Sequence, residues 1–215
     1  MAIRGVVFDF NGTLFWDTPL HRTAWEAFCR RHGLDIGIDE LSRRFHGQTN
    51  ADIMPALFER DFTDEEVCQL ADEKELMYQE VCRHTDMAFA PGAERLLNRL
   101  KEQGTPFTIA TGSERLNVDF YYEHFHLERW FPFEKIVYAD GTFPGKPDPE
   151  MYLRAMRILG TRPEETLIFE DSNSGIQAAV NAHAGRIVIV DSIHDDYSRW
   201  DFQQIRSFDE IELPL

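Results

Sequence analysis

Four positions of the sequence carry polar side chains at the end of a short apolar run or in the loop that follows it. They are Asp9, Thr111, Lys146 and the pair Glu170-Asp171. A carboxylate can act as a nucleophile, a hydroxyl and an ammonium can hold phosphate oxygens, and a second carboxylate can hold a hard cation. Together these groups are what phosphoryl transfer through an aspartyl phosphate requires.

Each of these side chains also has a structural explanation. Asp9 could accept hydrogen bonds from the turn at Gly12 and Thr13, and Thr111 could be a helix-start hydroxyl. Lys146 could be a solvated loop residue, and Asp171 could be an acidic group favoured by a helix dipole. All of them occur at predicted strand ends and in this order, however, which favours a functional set over coincidence.

The elements that would position these residues alternate between strand and helix. Apolar runs predict strands at residues 6–8, 106–111, 135–139, 166–171 and 186–190. Helices are predicted at 91–104, 149–159 and 174–183, and Ser113 is predicted to N-cap a further helix. Beyond residue 191 we expect one marginal strand and a short helical turn. The pattern indicates an α/β fold with a doubly wound parallel sheet, whose ligand crevice lies at the carboxyl ends of the strands.

A long stretch without strand signals interrupts this pattern after Leu14. Helices are predicted at about 18–33, 39–45, 50–58 and 64–84, the first with Thr18 as hydroxyl N-cap followed by Pro19. About 75 residues is too long for an ordinary connection. We therefore predict an inserted all-helical cap domain at residues 16–88, and a core domain formed by residues 1–15 and 89–215.

Composition narrows the class of protein. The 215 residues include 43% hydrophobic ones, which suffice for a packed core, and carry a formal net charge of −16. This charge, with no basic run to offset it, argues against nucleic acid and anionic membranes as partners. No apolar segment approaches the roughly 18 residues that span a bilayer, and no signal peptide is recognisable. We expect reduced, unpaired cysteines and a monomer in the cytoplasm.

Four motifs resemble those of the haloacid dehalogenase (HAD) superfamily, and within it the β-phosphoglucomutases and sugar-phosphate phosphatases. They are DFNGTL at 9–14, ATGS at 110–113, GKPDP at 145–149 and EDSNSGIQAA at 170–179. The resemblance implies that Asp9 attacks phosphorus and that Thr111 and Lys146 steady the phosphoryl oxygens. It also implies that Mg²⁺ binds Asp9, Asp171 and the main-chain carbonyl of Asn11, with Glu170 as an outer partner or alternative ligand.

The substrate would lie between the core and the cap, which would close over it. The residues that we expect to contact the substrate belong to the ATGS motif and to the cap: Gly112, Ser113, Thr18, His21, Gly47, Gln48 and Lys74. They are generic polar positions, so they do not name the substrate. His21 could also be a packing residue, because Trp25 and Phe28 share its helix face.

The sequence departs from the family pattern at two positions. The family's phosphotransferases have an acid-base Asp two residues after the nucleophile, where this chain has Asn11, whose amide cannot shuttle a proton. The mutases have a phosphate-gripping Arg where this chain has Asn50, although Arg43 or Arg44 could reach over. We therefore favour a Mg²⁺-dependent hydrolase of a small phosphorylated metabolite, such as a sugar phosphate. The alternatives are a mutase, a catalytically impaired binding protein and a dehalogenase.

Overall fold

The computed structural model describes residues 2–45, 48 and 50–212, apart from the side chains of residues 42, 43 and 51. Its centre is a six-stranded parallel sheet. The strands are β1 (Gly5–Phe8), β2 (Phe107–Glu114), β3 (Val137–Ala139), β4 (Thr166–Glu170), β5 (Arg186–Val190) and β6 (Gln203–Ile205). Their spatial order is β3-β2-β1-β4-β5-β6, so the chain changes direction across the sheet at β1. The carboxyl end of β1 is therefore the expected position of a ligand crevice.

Both faces of β1 are buried, which explains its continuous apolar sequence. Side chains alternate between the faces of a strand, so Val6 and Phe8 pack in one apolar cluster and Val7 packs in another. Helices α5 (Ala93–Gln103) and α6 (Arg115–His124) contribute to the first cluster, and α7 (Glu150–Leu159) and α8 (Asn173–Asn181) to the second. The predicted doubly wound α/β core is confirmed.

Four helices lie between β1 and α5: α1 (Thr18–His32), α2 (Ile38–Phe45), α3 (Asn50–Phe58) and α4 (Asp64–Arg83). The first three form an apolar cluster of Trp25, Phe28, Cys29, Leu41, Phe45, Ile53, Met54 and Leu57, against which α4 packs Val67, Leu70 and Met77. No strand occurs among the described residues of this segment, in agreement with the helical insertion. The division into two domains at residues 15/16 and 88/89 remains a prediction, and below we call these four helices the cap helices.

Two predicted helix caps are wrong. The N-cap of α1 is Asp17 rather than Thr18, and the Asp17 carboxylate makes no capping bond because other donors hold it inside the protein. The N-cap of α6 is Glu114 rather than Ser113, because β2 continues to Glu114. The Ser113 hydroxyl instead donates to Asn11 Oδ1 at 2.7 Å.

The cysteines and the helix hydropathy agree with the expectations for composition. Cys29, Cys68 and Cys82 are free. Within the described residues, none of the helices combines the length and the apolar character that crossing a bilayer demands.

Candidate active site

The floor of the site is a buried cation held between two carboxylates at the carboxyl ends of β1 and β4. Lys146 Nζ lies 2.6 Å from Asp9 Oδ1 and also contacts Glu170 Oε1. Burial by itself would lower the pKa of Lys146, but the two carboxylates raise it above its ordinary value. Burial raises the pKa of Asp9 to about 7, against the opposing effect of Lys146 and with a further rise from Glu170. Lys146 is therefore a permanent positive charge beside Asp9.

Both oxygens of the Glu170 side chain accept hydrogen bonds. Its Oε1 accepts from Tyr152 Oη at 2.8 Å as well as from Lys146. Its Oε2 accepts from the main-chain N–H groups of Asp171 and Ser172, each at 2.8 Å, and from the Ser172 hydroxyl. Burial would raise the pKa of Glu170, but Lys146 and these donors lower it. This arrangement favours the outer-partner role that the resemblance offered for Glu170.

Three carboxylates of the floor can offer oxygen ligands to a common cation. One oxygen each from Asp9, Glu170 and Asp171 lies within 4.8 Å of the other two. Burial raises the pKa of Asp171 well above its ordinary value, and Glu170 and Asp9 raise it further. Gly12 has a φ of 76°, and a Cβ there would come 2.0 Å from Asp171 Oδ2, so glycine leaves the room that this carboxylate occupies. An oxygen-only, buried set of this kind fits Mg²⁺.

The Asn11 side chain uses its hydrogen-bonding capacity on both sides. Its Nδ2 donates to Asp17 Oδ2 at 2.5 Å and to Tyr121 Oη at 2.8 Å. Its Oδ1 accepts from Ser113 Oγ at 2.7 Å and from Thr111 Oγ1 at 3.3 Å. Asn11 therefore ties the β1 loop to the end of β2 and is a fixed hydrogen-bonding group rather than a free one.

Asp17 is a central group that the sequence reading missed. Its carboxylate is fully buried and also accepts from Gly12 N at 2.9 Å and from Tyr78 Oη at 2.5 Å, and it lies 3.3 Å from His21 Nε2. Burial would raise the pKa of Asp17, but His21, Tyr78 and Asn11 lower it. Asp17 directly precedes Thr18, which was predicted as the N-cap of the first helix, so a local signal existed. No such sequence signal marks Tyr78, because only the fold brings α4 to the loop after β1.

The polar network continues from Asp17 into the cap helices. The His21 ring stacks on Tyr78 with a centroid distance of 3.8 Å, and His21 Nδ1 lies 3.3 Å from Lys74 Nζ. Lys74 in turn lies 2.5 Å from Glu75 Oε1, which also accepts from Asn50 Nδ2 at 2.6 Å. The Lys74 ammonium is thus paired with a buried carboxylate of the protein.

One cleft contains nearly all the residues that the sequence analysis selected. Its lining includes Asp9, Asn11, Thr18, His21, Gln48, Lys74, Thr111, Gly112, Ser113, Lys146 and Asp171. Glu170 lies beneath it, in contact with Lys146. Gly47 lies outside the described residues, as does the side chain of Arg43. Arg44 is described, and it pairs with Glu40 at 3.6 Å and lies over the Phe45 ring.

The cleft has two chemically different ends. The core end is formed by the charged strand-end groups described above. The cap end presents the apolar side chains of Trp25, Leu41, Phe45 and Ile53 beside Lys74, Glu75 and Asn50. A cleft that combines a charged end with an apolar wall suits a small ligand that is polar at one end.

Comparison with known proteins agrees with this geometry. The family of haloacid dehalogenase-like hydrolases matches residues 3–183. The chain is 28% identical to a phosphorylated carbohydrates phosphatase of Thermotoga maritima, covering 90% of this chain and 88% of that protein. The crystal structure of a HAD hydrolase, family IA, variant 3, from Entamoeba histolytica superimposes with a TM-score of 0.89. It is 35% identical, with 98% of this chain and 96% of that chain covered.

A β-phosphoglucomutase from Clostridium difficile has the same fold, with a TM-score of 0.80 over 98% of this chain and 94% of that one, at 22% identity. The match of a single family across most of the chain is consistent with the strand-end groups that meet at β1. The chain therefore belongs to the haloacid dehalogenase-like hydrolases.

Proposed function

We propose that this hydrolase is a Mg²⁺-dependent phosphatase that cleaves a small phosphorylated metabolite, with a sugar phosphate as the favoured class, through an aspartyl phosphate on Asp9. The observation that carries the proposal is the buried Lys146 ammonium 2.6 Å from the Asp9 carboxylate, next to two further carboxylates. The relative from Thermotoga maritima, named for phosphorylated carbohydrates, supports the substrate class.

Two displacements at phosphorus account for the reaction. In the first, an Asp9 oxygen bonds to phosphorus while the bond from phosphorus to the ester oxygen breaks, and the leaving oxygen takes a proton from solvent or from His21. In the second, water bonds to the same phosphorus, the bond to Asp9 breaks, and the proton of the attacking water passes to solvent or to His21 as phosphate is released. Lys146 remains charged throughout and would hold a phosphoryl oxygen, together with the Thr111 hydroxyl.

Asp9, Asp171 and the Asn11 carbonyl would hold Mg²⁺, which supplies positive charge that offsets the charge of the transferring phosphoryl group. The chain's own part is to keep these oxygens together. Thr13 Oγ1 lies 3.2 Å from Asp171 Oδ1, and Tyr197 Oη donates to the Asp171 carbonyl at 2.6 Å. These contacts fix both the side chain and the backbone of Asp171.

Proton transfer is the step for which Asn11 is unsuited. An amide neither gives nor takes a proton near neutral pH, and the Asn11 side chain is already engaged on both sides. General acid-base catalysis contributes roughly 10²–10⁴ in rate. We therefore expect slow turnover of ordinary alkyl phosphates and faster reaction of aryl phosphates, whose leaving groups depart without a proton. His21 remains a candidate for the missing role.

A substrate panel tests the proposal. Sugar phosphates, nucleotides, an aryl phosphate and a haloacid should be assayed with Mg²⁺ and with a chelator. We expect phosphate release from the aryl phosphate and from sugar phosphates, and only when Mg²⁺ is present. Halide release without Mg²⁺ would identify a dehalogenase, and turnover of none of the compounds would identify a binding protein; either result would overturn the proposal.

A further inference from the structure

The side chains at the cap end of the cleft are of the kinds that can select the alcohol part of the substrate. The lining there includes the polar side chains of Asn50 and Glu75 and the aromatic side chains of Trp25 and Phe45. An alcohol that carries both hydroxyls and C–H groups can contact both kinds of side chain. This combination is present although the sequence analysis assigned no specificity to the cap.

The charges near this end are unfavourable to anions. The carboxylates of Asp17 and Glu75 are buried there, and Asn50 Nδ2 lies 3.5 Å from a third, Glu114 Oε1. Burial raises the pKa of Glu114, and the negative charge of Glu75 raises it further. The cleft therefore has a surplus of acidic groups at the end that lies away from Lys146.

The cations near the cap end are already paired. Lys74 contacts Glu75 at 2.5 Å and lies over the Trp25 ring at 4.9 Å. Arg22 donates to Asp39 at 2.6 Å, and Arg44 lies 3.6 Å from Glu40. Among the side chains that the structure describes, these leave no unpaired ammonium or guanidinium on the cap side of the cleft to bind a second phosphate.

We propose that the cap end selects phosphate monoesters of uncharged alcohols with an apolar face, and rejects compounds with a second phosphate or a carboxylate. This inference rests on the proposed phosphatase function and narrows its substrate class. An anionic group near Glu75 would meet like charge in a partly desolvated site, whereas a hydroxyl would replace water without that cost. At moderate screening, we expect at least about a tenfold preference in kcat/KM for the uncharged compound.

The experiment compares butyl phosphates that end in methyl, hydroxyl or carboxylate, together with methyl phosphate, which is too short to reach the cap. A hexose monophosphate and its bisphosphate form a second matched pair. We expect the butyl phosphates that end in methyl or hydroxyl to be preferred over the one that ends in carboxylate, and the hexose monophosphate over its bisphosphate. Both preferences should shrink as salt is raised. Equal kcat/KM values within the pairs would overturn the inference, while lack of turnover of methyl phosphate and all others would overturn the phosphatase function itself.

Two variants locate the effect. Glu75→Gln removes one carboxylate and Asn50→Lys adds a cation at the cap end, so both should reduce the preference against carboxylate and bisphosphate by at least about threefold. Glu123→Gln, an equal charge change at an exposed position of α6, should leave the preference as it is. A preference that survives both cap variants would contradict the assignment to these residues. Should neither variant fold, the wild-type comparison alone decides.

Discussion

The core end and the cap end of the cleft are both buried and polar, but they are assembled differently. At the core end, Asp9 follows β1 directly, Glu170 ends β4 and Asp171 follows it, and the two strands pair with each other in register. At the cap end, Asp17 comes from the loop before α1, whereas Glu75 and Tyr78 come from α4. The contact between Asp17 and Tyr78 therefore joins residues that are 61 positions apart in the chain. The sheet thus fixes the core end, whereas packing between helices and core fixes the cap end.

The two ends also handle charge in opposite ways. The core end holds three carboxylates around one ammonium, and the pKa values of Asp9 and Asp171 are raised, so it is set up to take up a cation. At the cap end, Lys74 is paired with Glu75, and Asp17 and Glu114 add further acidic groups. This difference underlies the proposal that the core end carries the reaction and that the cap end selects the alcohol.

We expect the largest difference between the two ends when a carboxylate is removed from the core end. Asp9→Asn should lower kcat with an aryl phosphate by at least about 10⁴, because the nucleophile is lost. Asp191→Asn is the matched control, since Asp191 is also a buried carboxylate directly after a strand but lies outside the cleft, bonded to His194 and Arg206. Comparable losses in both variants would show that strand-end carboxylates act only through stability.

Restoring a carboxyl group at the junction of the two ends should have the next largest effect. In Asn11→Asp the new carboxyl would face Asp17 Oδ2, now 2.5 Å from Nδ2. Two carboxylates in contact cannot both ionise, so the new group keeps a proton that it can donate to a leaving alcohol. We expect kcat for alkyl phosphates to rise by roughly 10²–10⁴.

Asn50→Asp, the same change at the cap end, should give no such gain. A different result would move proton transfer to the cap: if Asn11→Asp has no effect while His21→Ala abolishes steady-state turnover, His21 carries out this step.

Binding of Mg²⁺ at the core end should depend on pH. The pKa of Asp9 is about 7 in the folded protein against an ordinary value of 3.8, so the folded state binds protons more tightly than the unfolded chain. Stability from this group is therefore lost as pH rises from about 3.8 to about 7. Mg²⁺ must displace these protons, so its stabilising effect should be larger above pH 7 than below it.

Melting temperatures measured with Mg²⁺ and with a chelator check this expectation. A Mg²⁺ concentration a hundredfold above Kd corresponds to about 2.7 kcal/mol of stabilisation. Asp171→Asn should lose most of the Mg²⁺ effect, and Glu75→Gln at the cap end should keep it. An equal Mg²⁺ effect at all pH values, or its persistence in Asp171→Asn, would contradict the metal site.

A pair of tyrosines provides the smallest and most closely matched test. Tyr78 donates to Asp17 at the cap end, and Tyr152 donates to Glu170 at the core end. Phe at either position should cost about 1.5–3 kcal/mol in the free energy of unfolding, because a bond to a buried carboxylate is lost. Only Tyr78→Phe should raise KM for a sugar phosphate without changing kcat/KM for methyl phosphate. If Tyr152→Phe instead raised KM for the sugar phosphate while Tyr78→Phe did not, the core end rather than the cap end would contact the alcohol part of the substrate.

The sequence located the carboxylates of the core end because they lie at the ends of apolar runs. Asp9 and Asp171 needed only the correct placement of β1 and β4, and the parallel sheet then brings their ends together. The helix signals were similarly local: α3 was predicted with the bounds that the structure has, and Gly33 and Gly104 mark helix ends with positive φ.

The cap end could not be predicted in the same way, because its contacts join distant parts of the chain. Tyr121 and Asn117 lie on α6 and meet Tyr78, Glu75 and Gln79 of α4. No spacing within either helix marks these pairs. Ser113 illustrates the related error: a serine before a helix is normally read as a cap, but β2 extends past it to Glu114, and the Ser113 hydroxyl donates to Asn11 Oδ1.

The most direct test of the central claim is to trap the phosphoryl group on Asp9. The wild-type protein should be mixed with an aryl phosphate and Mg²⁺, quenched with acid during the first turnovers, and digested for mass spectrometry. We expect a burst of released phenol that matches phosphate bound to the peptide containing Asp9, because the second step needs an activated water that Asn11 cannot supply. Phosphate on another residue, or turnover with no phosphorylated peptide at any time point, would contradict the account.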